Sequence, residues 1–366
     1  MMEEFDLGQL VEPALQWYKK NKRTLPWRMD QNPYKIWVSE IMLQQTRVEA
    51  VIPYFERFMK ELPTIETLAE CPEDKLLKLW EGLGYYNRVR NMQKAAQVIV
   101  ETYGGQMPDS YEEILTLPGI GPYTAGAIAS ISFGQPVPAV DGNVLRILAR
   151  ATEDEADIAK ESTKKKVTAA LSEVMPKEAG AFNQALMEIG ALVCIPNGTP
   201  HCESCPWMKF CRAHQNKSYD RLPVKAPKKP RRIQEKTVFV IRDGEKILIG
   251  KRPAKGLLAG LYELPNQDGY MTKQQVLDFV TEQGLDALHI QELPEAKHIF
   301  SHIEWHMKGY MIRVADVESF HNHHSKEDSQ YLLVEVDEIQ NRYAIPSAFE
   351  AYVSRVNLSL GIKKSS

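Results

Sequence analysis

Two acidic side chains stand out for the company they keep. Glu40 lies in Trp37-Val-Ser-Glu-Ile-Met-Leu-Gln-Gln-Thr-Arg47, on a helix expected to begin near Pro33. Glu40, Gln44 and Arg47, at i, i+4 and i+7, share one stripe of that helix, and by spacing alone the stripe reads as a solvated face. Trp37, Ile41, Met42 and Leu43 argue against that, because a carboxyl facing a partly dry pocket has its pKa raised and stays an acid near neutral pH. Asp141, in Val137-Pro-Ala-Val-Asp-Gly-Asn143, is the second; taken alone it reads as the N-cap of a helix over 144–150. Two carboxyls in different environments suit acid-assisted cleavage of a glycosidic bond, one protonating the leaving group and the other meeting positive charge on the sugar.

Leu117-Pro-Gly-Ile-Gly-Pro-Tyr-Thr-Ala125 puts a glycine-containing turn between two helical stretches. It reads either as an ordinary interhelical turn or as a helix-hairpin-helix. In the second case Gly119 and Gly121 let the backbone come close to a phosphate, gripped by amides at the next helix's N-terminus. Such a grip is blind to base sequence. Cys194, Cys202, Cys205 and Cys211 fall within 18 residues, and clustered thiols in a chain with no signal-peptide pattern point to a metal. Thiolates suit both Zn²⁺ and an iron–sulfur cluster, although a zinc ribbon usually offers two Cys-x-x-Cys knuckles and only Cys202-Glu-Ser-Cys205 has that spacing. Cys71 reads as a lone buried thiol.

The elements that must position these groups divide in two. At 366 residues the chain exceeds one ordinary core, at roughly 100–200 residues per domain. From Phe5 to about Ala191 the apolar spacing is helical, with stretches at 48–58, 76–80 and 87–103, so residues 1–220 are expected to form an all-α domain that includes the cysteine loop. Residues 221–233 are proline-rich and cationic, and read as an extended linker. Beyond them Thr237–Ile241 and Lys246–Gly250 flank Asp243-Gly244, a hairpin signal. A helix is expected over 272–282, strands over 297–302 and 305–314 and a further helix after Pro346, making 234–366 an α+β domain. His321-Asn-His-His324 reads as a solvated loop.

The net charge of −3 is uninformative by itself because it hides an uneven distribution: Lys217–Arg232 holds seven basic residues against one acid, a local basic strip that hints at nucleic acid. No apolar run approaches the ~20 residues of a membrane span, and the expectation is a cytoplasmic, monomeric protein.

The hairpin, an aspartate eighteen residues after Tyr123 and the four-cysteine loop resemble the endonuclease III superfamily of base-excision DNA glycosylases. Pro26-Trp27-Arg28, Trp37–Arg47 and Trp80-Glu-Gly-Leu-Gly-Tyr-Tyr86 narrow the resemblance to adenine DNA glycosylases of the MutY type. It implies a helix-hairpin-helix glycosylase domain with a [4Fe–4S] cluster on the four cysteines, followed by a MutT-like, Nudix-related domain. The family usually has six residues between its first two cysteines and this chain has seven, a loop in which His201 is a competing ligand.

The resemblance further implies that Glu40 protonates adenine at N7, and that Asp141 stabilises the oxocarbenium-like sugar or attacks it. Lyase members carry a lysine where Tyr123 stands, so Tyr123 implies a monofunctional enzyme. Position by position, Gln45 and Tyr85 match residues that wedge into the duplex, Thr46 and Leu83 those contacting the partner base. Arg28, Leu43, Tyr123 and Gln184 match the adenine pocket, Gln44 is a further substrate-binding candidate, and Asn143 matches a residue that orients water or a carboxylate. In the second domain Gly256–Pro265 matches the opening of the Nudix fold, but 273–284 offers only Asp278 and Glu282 where a hydrolase needs a glutamate cluster. Phe300-Ser301-His302 matches a loop reading 8-oxoguanine opposite adenine.

The expected substrate is therefore duplex DNA with adenine opposite 8-oxoguanine or guanine. The alternatives are a superfamily glycosylase for another mismatch or lesion, a non-catalytic lesion-binding protein should Glu40 or Asp141 be misplaced, and a nucleotide hydrolase, which the missing glutamates disfavour.

Overall fold

The computed structural model describes residues 5–227, 230–315, 331–358 and 360–361. His321–His324 and the linker residues Lys228 and Lys229 lie outside them. The helices of the first part of the chain are α1 (Val11–Asn21), α2 (Pro33–Leu43), α3 (Val48–Glu61), α4 (Ile65–Ala69), α5 (Glu73–Leu79), α6 (Asn87–Tyr103), α7 (Tyr111–Thr116), α8 (Pro122–Phe133), α9 (Gly142–Thr152), α10 (Glu161–Ser172), α11 (Ala179–Leu192) and α12 (Arg212–Gln215). The remainder forms β1 (Arg232–Asp243), β2 (Lys246–Lys251), β3 (Tyr262–Glu263), β4 (Asn266–Asp268), α13 (Lys273–Glu282), β5 (Ala287–Ile299), β6 (Ile303–Val314), β7 (Tyr331–Glu335), α14 (Val336–Arg342) and α15 (Glu350–Val353). Two compact units result: residues 1–70 with 90–228, and 71–89 with 229–366.

In the first unit local chemistry sets the helix starts. Asn32 accepts from the amides of Tyr34 and Lys35 with Pro33 at the first helical position, and Asp141 does the same for α9. α9 then buries Val144, Leu145, Ile147, Leu148 and Ala151 with Ala14, Leu15 and Tyr18 of α1 and Phe182, Leu186 and Ile189 of α11. A Cβ on Gly126 would meet the carbonyl of Pro138 at 2.4 Å, so that glycine sets how closely α8 approaches the strap leading to Asp141.

The second unit is a mixed sheet in the order β3-β2-β1-β6-β5, with β4 on β1 and β7 on β2. β1 and β6 run parallel from Arg232↔Ile303 to Arg242↔Arg313. Alternation gives the sheet two buried faces. Val238, Val240, Trp305 and Met307 pack with Phe349 and Tyr352, whereas Phe239, Ile241, Tyr310 and Ile312 pack with Val276 and Val280 of α13.

Residues 71–89 belong to this unit, a membership that helical periodicity alone does not reveal. Lys78 Nζ donates to the carbonyls of Ile339 (3.1 Å) and Tyr343 (3.0 Å) and to Glu81 (2.8 Å). Glu81 in turn accepts from the amides of Ile345 at 2.9 Å and Gly361 at 3.2 Å.

Three local expectations are corrected. The β1–β2 turn is Gly244-Glu245, because Asp243 still pairs with Lys246. The strand expected over 297–302 stops at Ile299, and Phe300-Ser301-His302 is the turn between β5 and β6, closed by the Phe300 amide on the Ile303 carbonyl at 2.8 Å. β7 and α14, found by no motif, follow in the chain where only the helix after Pro346 was expected.

Candidate active site

An open cleft of about 1680 Å³ in the first unit gathers Arg28, Glu40, Leu43, Gln44, Gln45, Thr46, Tyr123, Asp141, Asn143 and Gln184 on its walls. Each comes from a different local device. Glu40 sits in the third turn of α2, a helix buried on nearly every side, and is itself 6% exposed, so the solvated-face reading is wrong. The proposed stripe is also wrong, because α2 ends at Leu43. Gln44 caps it, Gln45 adopts a left-handed φ of 61° and Arg47 starts α3. The break turns Gln44, Gln45 and Thr46 along the cleft wall instead of up a helix face.

Tyr123, in the first turn of α8, donates its hydroxyl to Glu40 Oε2 at 2.5 Å and lies 3.8 Å from Met187 Sδ. Burial pushes the Glu40 carboxyl up to about 7, helped by the negative Asp141 and opposed by the Tyr123 hydrogen bond and by Arg28. The Tyr123 phenol is driven well above 10, chiefly by burial and then by the neighbouring carboxylates.

Asp141 is indeed the N-cap of α9: Oδ1 accepts from the amides of Asn143 at 2.9 Å and Val144 at 2.8 Å. The cap and the site are compatible, since capping holds the carboxylate in one orientation at the cleft. Asn143 Nδ2 adds a bond to Oδ2 at 2.7 Å, and Asn143 Oδ1 accepts from Arg146 Nη1 at 2.9 Å. Arg146, 6% exposed, also donates to the carbonyls of Cys194 (3.0 Å) and Gly190 (2.8 Å). A continuous chain of bonds thus runs from Asp141 to the start of the cysteine loop.

Sequence reading missed Arg23, Arg146 and Glu188. Glu188, on α11 one turn after Gln184, accepts from Arg23 Nε at 2.7 Å and Arg28 Nη2 at 3.1 Å. Burial favours its protonation, but the two guanidiniums outweigh that and hold it at about 2. The i, i+4 spacing of Gln184 and Glu188 was the signal available. Gln184 itself accepts from the Tyr18 hydroxyl at 3.0 Å.

In the hairpin Gly119 has φ 74°, and a Cβ there would fall 2.5 Å from Asn91 Cβ. Gly121, the N-cap of α8, faces open space. The four cysteines influence one another electrostatically. Burial first, and then the neighbouring sulfurs, raise Cys205 to about 12 and Cys211 to about 11 against backbone N–H bonds that favour the thiolates. Arg150 Nη1 donates to Cys194 Sγ at 3.3 Å. Among the described residues no three groups are placed to share a single metal ion, and His201 is exposed.

In the second unit Leu83-Gly84-Tyr85 forms a tight turn. Trp80 Nε1 and Arg88 Nη2 each donate to the Gly84 carbonyl at 3.1 Å. Leu83 is buried, and Tyr85 is 50% exposed with φ 49°. At the β5–β6 turn Phe300 packs edge-on between His298 and Trp305, while Ser301 and His302 are exposed with Ser301 Oγ 3.2 Å from His302 Nδ1.

Residues 38–177 match the family described as HhH-GPD superfamily base excision DNA repair protein, and 237–355 match the NUDIX domain. The helical unit is similar to a thermostable thymine-DNA glycosylase of known structure, with a TM-score of 0.52 and 28% identity over 57% of this chain and 96% of that one. Fold and cleft define a base-excision DNA N-glycosylase with an appended Nudix-like domain.

Adenine DNA glycosylases match over both parts. The one from Buchnera aphidicola (Acyrthosiphon pisum) is 35% identical over 89% of this chain and 92% of its own length, and the human one 36% over 79% and 64%. The chain belongs to the adenine DNA glycosylase family. It matches a little under two thirds of the longer human protein. No helix among the described residues is long and apolar enough to cross a membrane.

Proposed function

We propose that the chain hydrolyses the N-glycosidic bond of adenine opposite 8-oxoguanine or guanine in duplex DNA and leaves an abasic site. The observation that carries this is the buried Glu40, hydrogen-bonded by Tyr123 and facing the cleft shared with Asp141. With a pKa of about 7, Glu40 is protonated enough to give its proton to the base and basic enough afterwards to activate water. Asp141, oriented by two amides and by Asn143, supplies the negative charge that meets the developing cation on the sugar.

The adenine must leave the stack to reach them, at a cost of a few kcal/mol. Gln45 and Tyr85, both exposed and both in left-handed backbone, are the candidate wedges. The exposed Ser301 and His302 are the candidate readers of the opposing base, since a hydroxyl can accept from the N7–H that 8-oxoguanine has and guanine lacks. With a phenol and no amine at position 123, the reaction ends at base release.

The donor set fits an iron–sulfur cluster. Cys194, Cys202, Cys205 and Cys211 would hold a [4Fe–4S] cluster, and their single Cys-x-x-Cys spacing is not that of a zinc ribbon. Arg150 Nη1, 3.3 Å from Cys194 Sγ, already places a cationic donor against the sulfurs. When bound, such a cluster would tie the four cysteines of the loop after α11 together.

The test is adenine release from duplexes with adenine opposite 8-oxoguanine, guanine or cytosine, by wild type and Glu40→Gln. No release by wild type, or an unchanged rate for Glu40→Gln, sinks the reading. A colourless, zinc-containing preparation sinks the cluster.

A further inference from the structure

Arg28 projects into the cleft with two carboxylates in its neighbourhood, Glu40 and Glu188. It is bonded to Glu188, whose side chain is 1% exposed. Glu188 Oε1 accepts from the Arg23 amide (3.1 Å) and Arg23 Nε (2.7 Å), and Oε2 from Arg23 Nη2 (3.0 Å) and Arg28 Nη2 (3.1 Å). Arg28 Nη1 is turned to the Arg23 carbonyl at 3.4 Å. Both guanidiniums are thus anchored on Glu188, whereas Glu40 bonds Tyr123.

A carboxylate–arginine pair in a dry site forms with whichever carboxylate is ionised and best presented. The groups acting on Glu40 are Tyr123 from α8, Asp141 at the start of α9 and Arg28 from the turn before α2. Those facing Arg28 are Glu188 from α11 and the Tyr18 ring of α1, 5.9 Å away. Glu49 of α3 reaches only Arg23. Of these, Arg28 is the group able to strip Glu40 of its proton by pairing with it.

We propose that Glu188 is a positioning residue that sequesters Arg28 from Glu40, so that Glu40 stays a proton donor while Arg28 keeps one edge toward the base. The inference rests on the proposed glycosylase reading and deepens it. Glu188 contacts no reacting atom; it acts by holding Arg28.

The experiment is single-turnover adenine release by the full-length protein from an adenine·8-oxoguanine duplex between pH 5.5 and 9, for wild type, Glu188→Gln and Glu188→Asp. In Glu188→Gln the freed Arg28 turns to Glu40, and the alkaline limb moves to lower pH by roughly one unit or more. Glu188→Asp keeps the charge and leaves the limb near wild type. A purely structural Glu188 would scale the rate and leave the limb in place, which overturns the proposal. Should Glu188→Gln not fold, Glu188→Ala carries the test: its alkaline limb must move to lower pH and return on adding Arg28→Gln, and a limb that stays, or that Arg28→Gln does not restore, overturns the proposal. Wild type that releases no adenine overturns the proposed function and this inference together, whereas coincident limbs overturn the inference alone.

Discussion

The Tyr123 hydroxyl reaches Glu40 Oε2 at 2.5 Å, joining the first turn of α8 to the third turn of α2. That bond holds in place a carboxyl that burial has made a weak acid. Because the bond lowers the Glu40 pKa, Tyr123→Phe should raise it. The alkaline limb of base release then moves to higher pH, while the rate on the plateau falls because the carboxyl loses its orientation. A limb that moves down in a pH–rate series would contradict this.

Glu40 also makes a stability prediction. Its folded pKa of about 7 lies above the 4.5 of a free glutamate, so the folded state binds the proton more tightly. The stabilisation is fully present below pH 4.5 and is lost as pH rises through 7. Compared with Glu40→Gln, wild type should lose roughly 2–4 kcal/mol of unfolding free energy across that window. Parallel urea melts of the two proteins between pH 4.5 and 8 measure it; profiles that run parallel would refute it.

Asp141 caps α9 and, on the proposed mechanism, is also the counter-charge to the sugar; Asp141→Asn separates the two. Asparagine caps a helix about as well as aspartate. The substituted amide cannot accept from Asn143 Nδ2 where Oδ2 now does, a loss of about 1 kcal/mol. The melting temperature should therefore fall by a few degrees only, whereas removal of the charge facing the sugar should cost about 10²-fold or more in single-turnover rate.

Much of this was legible in the residues, and the failures have physical causes. Asn32-Pro33, Thr272 and Asp141 announce helix starts through side-chain capping, which is local. The end of α2 at Leu43 was not legible, because Gln44-Gln45-Thr46-Arg47 carries no glycine or proline and the left-handed turn at Gln45 is imposed from outside the segment. Glu188 and Arg146 escaped notice for a related reason: their partners, Arg23, Arg28 and the Cys194 carbonyl, lie 48 to 165 residues away. Likewise the tie of α5 to α14 through Lys78 and Glu81 joins segments over 260 residues apart. The Phe300-Ser301-His302 motif was found, but strand-like neighbours hid the turn that it forms.

The cationic segment after the cysteine loop predicts a salt effect. Arg231 Nε donates to the Phe300 carbonyl at 3.0 Å and the Arg232 amide to the His302 carbonyl at 3.2 Å, so the segment's end braces the β5–β6 turn. Replacing Lys225, Lys228, Lys229, Arg231 and Arg232 by glutamine should weaken duplex binding and flatten the dependence of log Kd on log salt by roughly 0.9 for each phosphate no longer neutralised. If the β5–β6 turn reads the opposing base as proposed, Arg231→Gln alone should lower the preference for 8-oxoguanine over guanine, because it loosens the turn. An unchanged salt slope in the five-fold variant would exclude this segment from DNA binding.

Arg146 and Arg150 both reach the start of the cysteine loop from α9, but only Arg146 touches the active site. Arg150 donates to Cys194 Sγ and to the carbonyls of Ile195 and Leu222. Arg146 donates to the Cys194 and Gly190 carbonyls and to Asn143, which holds Asp141. Replacing either by methionine leaves buried carbonyls without donors, at about 1–3 kcal/mol each, so both variants should melt earlier. Arg146→Met should in addition slow base release per active molecule, because Asn143 is no longer fixed. Arg150→Met, titrated for active sites, should turn over as wild type does. Equal rate losses in the two would mean that the loop acts on the site through overall stability, and not through the Arg146–Asn143–Asp141 chain.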